Sequence, residues 1–229
     1  MTSFLPGSVA RVCIDVASRL WAVSQADGVL PLREQQRAFT RRRLMDAGRT
    51  VFSTRGYPDT TVDDIVREAG TSRATFYLHF KGKGDLVAAL IDDIVPFAVA
   101  RYQVLDALLV ENGPALREQL HVWLSEWLDY WIEGADINHA LHQAGMLEAE
   151  VEAHLLHVSE TLIDSLERYL GSMPEAEKAG AHDRALTLEI MTQRIFALAS
   201  RSRLPLDNKD VMEILVGMWF EVLVDRRPG

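Results

Sequence analysis

A Gly70-Thr71-Ser72 junction between two short apolar-periodic segments constrains this chain more than any other feature of it. Thr61 is placed to cap a helix whose third residue, Asp64, can reach back as a capping box, and Val62, Ile65, Val66 and Ala69 recur at helical spacing. The pattern predicts a short helix over residues 62–69. Gly70 falls where a left-handed residue ends such a helix, and Thr71 and Ser72 supply cap oxygens for a second helix starting near Arg73. Two short helices joined by a tight turn follow. In the second, Phe76 and Phe80 lie four apart and plug a small core, which leaves Arg73, Ala74, Thr75, Tyr77, Leu78 and His79 for the other faces. One long bidentate donor, small hydroxyls and an aromatic hydroxyl suit a helix lying in a DNA major groove.

The flanks carry the matching charge. Upstream, Phe39, Leu44, Val51 and Phe52 are the apolar positions of a support helix whose leading end bears Arg33, Arg37, Arg41, Arg42 and Arg43. Downstream, Lys81 and Lys83 stand near the start of the next helix, where backbone N–H groups also attract phosphate. Residues 33–87 hold 11 Lys and Arg against 7 Asp and Glu, whereas residues 88–229 hold 11 against 24. An overall charge of −9 argues against nucleic acid only if taken whole, because the field that matters is that of the basic segment.

At this point the stretch resembles the N-terminal domain of the TetR (tetracycline repressor) family of bacterial transcriptional regulators. The resemblance rests on Phe52, Gly56 and Tyr57, the Thr60-Thr61-Val62 entry, Ile65, Ala69-Gly70, and the block Thr75-Phe76-Tyr77-x-His79-Phe80-Lys81-x-Lys83 with Leu86. It implies that Thr61, Thr75, Tyr77, His79 and Lys83 contact phosphates, and that Arg73, Ala74 and Leu78 face base edges, Arg73 reading a guanine. Lys81 joins the phosphate set from its place before the next helix. A competing reading has Tyr77 and His79 completing the packing of the small domain. Gly82 and Gly84 depart from the family pattern, where polar or acidic residues are more usual.

The remainder is a succession of helical patterns without strand alternation, so the chain reads as all-α; the resemblance implies a three-helix DNA-binding domain followed by a helical regulatory and dimerisation domain. The expected divisions are an extension over 1–32, the DNA-binding domain over 33–87, and the helical domain over 88–229. Ser8 caps a candidate amphipathic helix with Val9, Val12, Cys13, Val16, Leu20 and Val23 on one stripe, read either as an arm packing on the body or partner subunit or as a weakly ordered extension. Arg11, Asp15 and Arg19 interrupt it as a signal peptide, the lone Cys13 fits a reducing cytoplasm, and no stretch has the length of a membrane span. Later helices are expected over about 85–110 with a bend at Pro96, from Pro114 to Gly134, over 137–144, 146–170, 182–204 and 207–225, with residues 171–180 as a loop.

In the second domain, Trp123, Trp127 and Trp131 are spaced four apart beside Leu120, Leu124 and Leu128. They read either as core or as the wall of a site for a small hydrophobic effector, with Tyr102, His121, Tyr130 and Gln143 as candidate polar anchors. Leu186, Ile190, Leu198, Ile214, Leu215, Met218, Trp219 and Val222 give the last two helices more apolar surface than a terminal hairpin needs, which predicts a four-helix homodimer interface. The pairs His139/His142 and His154/His157 are a rival metal reading, but neither pair has a convergent third ligand, so no metal or cofactor is expected. No nucleotide loop, nucleophile elbow or dinucleotide fingerprint marks an enzyme. The sequence thus predicts a cytoplasmic regulator, dimeric on a pseudo-palindromic operator and released as a repressor by a small apolar effector. The alternative is a DNA-binding protein whose helical domain recruits a protein partner.

Overall fold

The computed structural model describes residues 31–225, and among these every regular element is helical. The helix expected around Cys13 lies outside the described residues. In chain order the helices are α1 (Leu32–Arg55), α2 (Val62–Glu68), α3 (Arg73–Tyr77), α4 (Lys83–Asp92), α5 (Val95–Glu111), α6 (Leu116–Glu133), α7 (Ala135–Leu147), α8 (Ala149–Asp164), α9 (Glu167–Gly171), α10 (Glu175–Ala199) and α11 (Asn208–Phe220), followed by a π-helical turn, Glu221–Asp225.

The chain forms two compact units that do not follow chain order. Among the described residues, the first takes 31–94 together with Asp136–His154, and the second takes Val95–Ala135 and 155–225. Residues 136–154, assigned from the sequence to the helical domain, therefore fold with the DNA-reading helices.

In the first unit α1 buries Leu44, Met45, Ala47, Val51 and Phe52, and α2 buries Ile65 and Val66. The capping box forms as expected: Thr61 Oγ1 accepts from the Asp64 N–H at 3.2 Å, and Asp64 Oδ2 accepts from the Thr61 N–H at 3.0 Å. The Thr61 hydroxyl, which also donates to Asp64 Oδ2 at 2.6 Å, and then the Thr61 N–H hold the half-buried Asp64 carboxyl down at about 2, with the Arg55 charge adding to them. Gly70 takes φ +61°, ending α2 in the left-handed region, and the Arg43 guanidinium donates to the carbonyl just before it, that of Ala69.

The second unit closes around a single apolar cluster that includes Tyr102, Leu105, Leu109, Leu120, Trp123, Trp127, Leu162, Tyr169, Phe196 and Trp219. Three expectations change here. The 85–110 segment is two helices separated at Asp93–Ile94, with Pro96 at the second position of α5, where a missing N–H costs nothing. The 146–170 segment also breaks, because Asp106 reaches from α5 to accept the Tyr169 N–H at 2.7 Å and the Arg168 N–H at 3.4 Å, starting α9 afresh. And residues 175–180 are helix rather than loop: α10 starts at Glu175, after Pro174, with Glu175 and Glu177 at its positive end.

One carboxyl in this core is fully buried. Glu189 accepts from the Tyr102 hydroxyl and from Gln193 Nε2, yet desolvation outweighs both bonds and pushes its pKa up. In the unfolded chain that carboxyl ionises near its ordinary value of 4.5, while in the folded chain it keeps its proton to higher pH. The folded state then holds the extra proton, so this group's contribution to stability falls as pH rises above 4.5, at up to about 1.4 kcal/mol per pH unit, until the native carboxyl ionises. Glu189→Gln is expected to remove this decline and raise stability at neutral pH relative to wild type, read by urea unfolding across pH 4.5–8.

Candidate nucleic-acid interface

The reading helix is built by its cap and its plug. Ser72 Oγ accepts the Thr75 N–H at 3.1 Å, starting α3, and Phe76 and Phe80 are 0% and 2% exposed with ring centroids 5.6 Å apart. Burying that face turns Arg73, Ala74, Tyr77 and Leu78 outward; Tyr77 is 50% exposed and Leu78 73%. Tyr77 meets the buried Phe76 ring edge to face at 5.4 Å with half its surface still exposed, and with Leu78 at the helix C-cap it offers the hydroxyl and apolar contacts a groove can use. The Arg73 guanidinium pairs with Asp63 of α2 at 3.0 Å, across the turn.

The residues expected on phosphates divide. Lys81 is exposed, and Asp85 caps the chain there by accepting the Lys81 N–H at 2.9 Å. Thr61 and Thr75 serve the caps of α2 and α3, with Thr75 Oγ1 2.9 Å from Ser72 Oγ. His79 is half-buried; burial first, then the charges of Arg37 and Arg41, push its pKa down and keep it neutral. Lys83 is turned inward instead. Its Nζ donates to the Tyr57 carbonyl at 2.8 Å and the Thr60 carbonyl at 3.1 Å, and lies 4.1 Å from the Tyr57 ring centre.

The residues expected to form an effector wall are mostly in the second unit. Tyr102 meets Trp123 edge to face at 5.2 Å, Trp123 meets Trp219 at 5.6 Å, and Trp131 meets Phe196 at 6.5 Å. Arg101 stacks over both Trp123 and Trp127 and exchanges bonds with Trp123, its carbonyl accepting from Trp123 Nε1 at 2.9 Å. Trp127 Nε1 is buried with no hydrogen-bond partner among the described residues. His121 is half-buried beside Ser125 at 3.4 Å. Gln143 is not with them: it belongs to the first unit, where its Oε1 accepts the Tyr57 N–H at 3.1 Å. A cavity of about 270 Å³ is lined by Ala199, Ser202, Leu204, Leu206, Asp207 and Asn208, none of them a residue expected in the wall.

The dimer face also needs correction. Leu215 and Trp219 are 1% and 0% exposed within the single chain, Trp219 Nε1 donating to Thr192 Oγ1 at 2.9 Å, so neither has surface to offer a second copy. Leu186, Leu198, Met218 and Val222 are half-buried, and Ile190, Met191 and Ile214 are exposed at 41%, 41% and 51%. Of the histidines, His154 bonds Asp92 at 2.9 Å and His157 lies 3.6 Å from Glu160; among the described residues no group of three metal-ligating side chains converges. No described helix is long and apolar enough to cross a membrane.

Sequence reasoning missed Tyr57, Gln143 and Glu148 as a connected set. The available signal was Gly84, a glycine in the first turn of α4.

With this geometry in place, the comparisons are specific. Residues 44–90 match the family model described as bacterial regulatory proteins, tetR family. EthR, an HTH-type transcriptional regulator of Mycobacterium tuberculosis, is 24% identical over 185 residues, covering 77% of this chain and 83% of that protein. The uncharacterised HTH-type regulator YdgC of Bacillus subtilis is 39% identical over 74 residues, or 32% of this chain, and the match spans 36% of that protein. The solved structure of Salmonella enterica GusR shares the fold, with a TM-score of 0.55 over 80% of this chain and 95% of that chain at 20% identity. Helix-turn-helix geometry, family model and relatives agree: residues 44–90 carry the DNA-binding domain of the tetR family of bacterial regulatory proteins, and the chain as a whole is similar to HTH-type transcriptional regulators.

Proposed function

We propose that this regulator is a repressor that binds a pseudo-palindromic operator in the cytoplasm as a homodimer and is released by a small apolar effector. The observation that carries the DNA part is the outward face of α3, where Arg73, Ala74, Tyr77 and Leu78 stand exposed while Phe76 and Phe80 anchor the helix. Arg73, Ala74 and Leu78 read base edges in the major groove, and Thr61, Thr75, Tyr77, His79 and Lys81 hold the phosphates. Arg73→Ala is expected to cost roughly 1–3 kcal/mol at one base position of each half-site, and Lys81→Ala to weaken all sequences alike. Binding titrations over single-base operator variants separate the two; the same loss of selectivity from both would remove the assignment.

The dimer reading is supported by exposed Ile190, Met191 and Ile214 beside half-buried Leu186, Met218 and Val222 on the last two long helices and the turn that follows. Sedimentation is expected to show a dimer at micromolar concentration, and Ile190→Asp with Ile214→Asp to shift it to monomer. A monomeric wild type that still binds its palindrome tightly would contradict this.

The effector reading is supported by the second unit's aromatic core, which buries a donor without a hydrogen-bond partner among the described residues, Trp127 Nε1, and a fully buried carboxyl, Glu189, beside Tyr102. An effector there is proposed to tilt the helix containing Asp85 and spoil the spacing of about 34–36 Å that two reading helices need on one duplex turn. The close packing of Trp123 and Trp131 favours a second reading, in which the helical domain recruits a protein partner. Titrating apolar compounds while following tryptophan fluorescence and operator affinity decides between them: the effector reading expects both to change, and the partner reading neither.

A further inference from the structure

Every polar atom of Tyr57 is engaged, and all but one of its partners' elements lie far along the chain. Its N–H donates to Gln143 Oε1, its hydroxyl donates to Glu148, and its carbonyl accepts from Lys83 Nζ at 2.8 Å. The side chain is 1% exposed and leans on Phe52, 5.5 Å between ring centres. Burial, and then the Glu148 oxygen, push the hydroxyl's pKa up, so it remains a donor. Gln143 and Glu148 both come from the corner between α7 and α8, which belongs to the same compact unit as Tyr57.

Two glycines make room for these two side chains. A Cβ on Gly56, itself at φ +78°, would stand 2.9 Å from Gln143 Oε1. A Cβ on Gly84 would stand 1.9 Å from Glu148 Oε2 and 3.0 Å from its Cδ, with Val151 at 3.4 Å. Gly84 is one of the two glycines that depart from the resembled pattern; at the other, Gly82, a Cβ would meet nothing within 4 Å. Lys83 completes the arrangement by tying the carbonyls of Tyr57 and Thr60, and Thr60 immediately precedes the cap of α2.

We propose that Glu148 is a positioning residue for operator reading: seated on Tyr57 in the space left by Gly84, it locks the α7–α8 corner to the entry of the helix-turn-helix, with Lys83 as an internal tether of that lock rather than a phosphate contact. This rests on the DNA-binding function above and adds to it the residues that hold the reading helices in register.

The test uses full-length protein and the duplex that wild type enriches from fragmented genomic DNA. Glu148→Ala and Tyr57→Phe are each expected to weaken binding about tenfold, the scale of one charge-assisted hydrogen bond. The double variant is expected to be no worse than either alone, because both remove one interaction. Glu148→Gln, which keeps an acceptor, recovers most of the loss. Lys83→Ala is expected to weaken binding with the slope of log K against log salt unchanged, whereas Lys81→Ala lowers that slope by about one. A second readout needs no DNA: amide exchange over residues 62–77 is expected to speed up in Glu148→Ala and Gly84→Ala. That readout stands even if wild type enriches no duplex, an outcome that sinks the DNA function and not the lock. A Lys83→Ala slope reduced by about one would return Lys83 to the phosphates, and exchange over residues 62–77 left unchanged in folded Glu148→Ala and in folded Gly84→Ala would overturn the lock.

Discussion

A helix of five residues has no stability of its own in water, because nucleation fixes several residues for each hydrogen bond gained. Everything α3 presents to a duplex therefore depends on the burial of Phe76 and Phe80, which are essentially inaccessible to solvent. Complete burial of a phenylalanine side chain is worth roughly 1.5–3 kcal/mol, more than the roughly 1 kcal/mol from the Ser72 cap, so packing rather than capping sets where the helix points. The cap decides only where it starts.

That division explains what was legible in the chain. The capping box, the left-handed Gly70 and the Phe76/Phe80 plug are local signals between residues a few positions apart, and each stands in the structure as expected. The long-range features were not legible. Whether Trp219 faces a partner or the protomer's own core depends on Thr192, 27 residues away and ready to accept its N–H. Nothing in the periodicity of α11 encodes that choice. The start of α10 at Glu175 was hidden for a different reason: its first residues, EAEKA, are good helix formers without an apolar stripe, and Gly180 follows them, so a reading by periodicity sees only a polar stretch ending in a glycine.

Gly84 shows how a departure from pattern becomes readable once contacts are known. A glycine near the start of a helix costs about 1 kcal/mol against alanine, an unfavourable choice for α4 in isolation. A methyl group there would collide with the Glu148 carboxylate. The local cost is offset by a contact 64 residues later in the chain, which no local rule contains.

Charge follows the same logic at finer scale. Residues 136–154 bring four carboxylates and no Lys or Arg into the unit that holds the basic helix-turn-helix, so positive potential has to be read from where cations stand and not from the unit's sum. Several arginines there are already paired: Arg42 and Arg49 with Asp93, Arg55 with Asp64, and Arg73 with Asp63. For Arg73 the pairing is compatible with reading a base. Both side chains of its pair are more than half exposed, at 58% and 52%, and such a pair is worth about 0–1 kcal/mol. A bidentate contact to guanine discriminates by roughly 1–3 kcal/mol, enough to draw the guanidinium from Asp63. The weak pair thus holds Arg73 near its working position without competing against the base it is proposed to read.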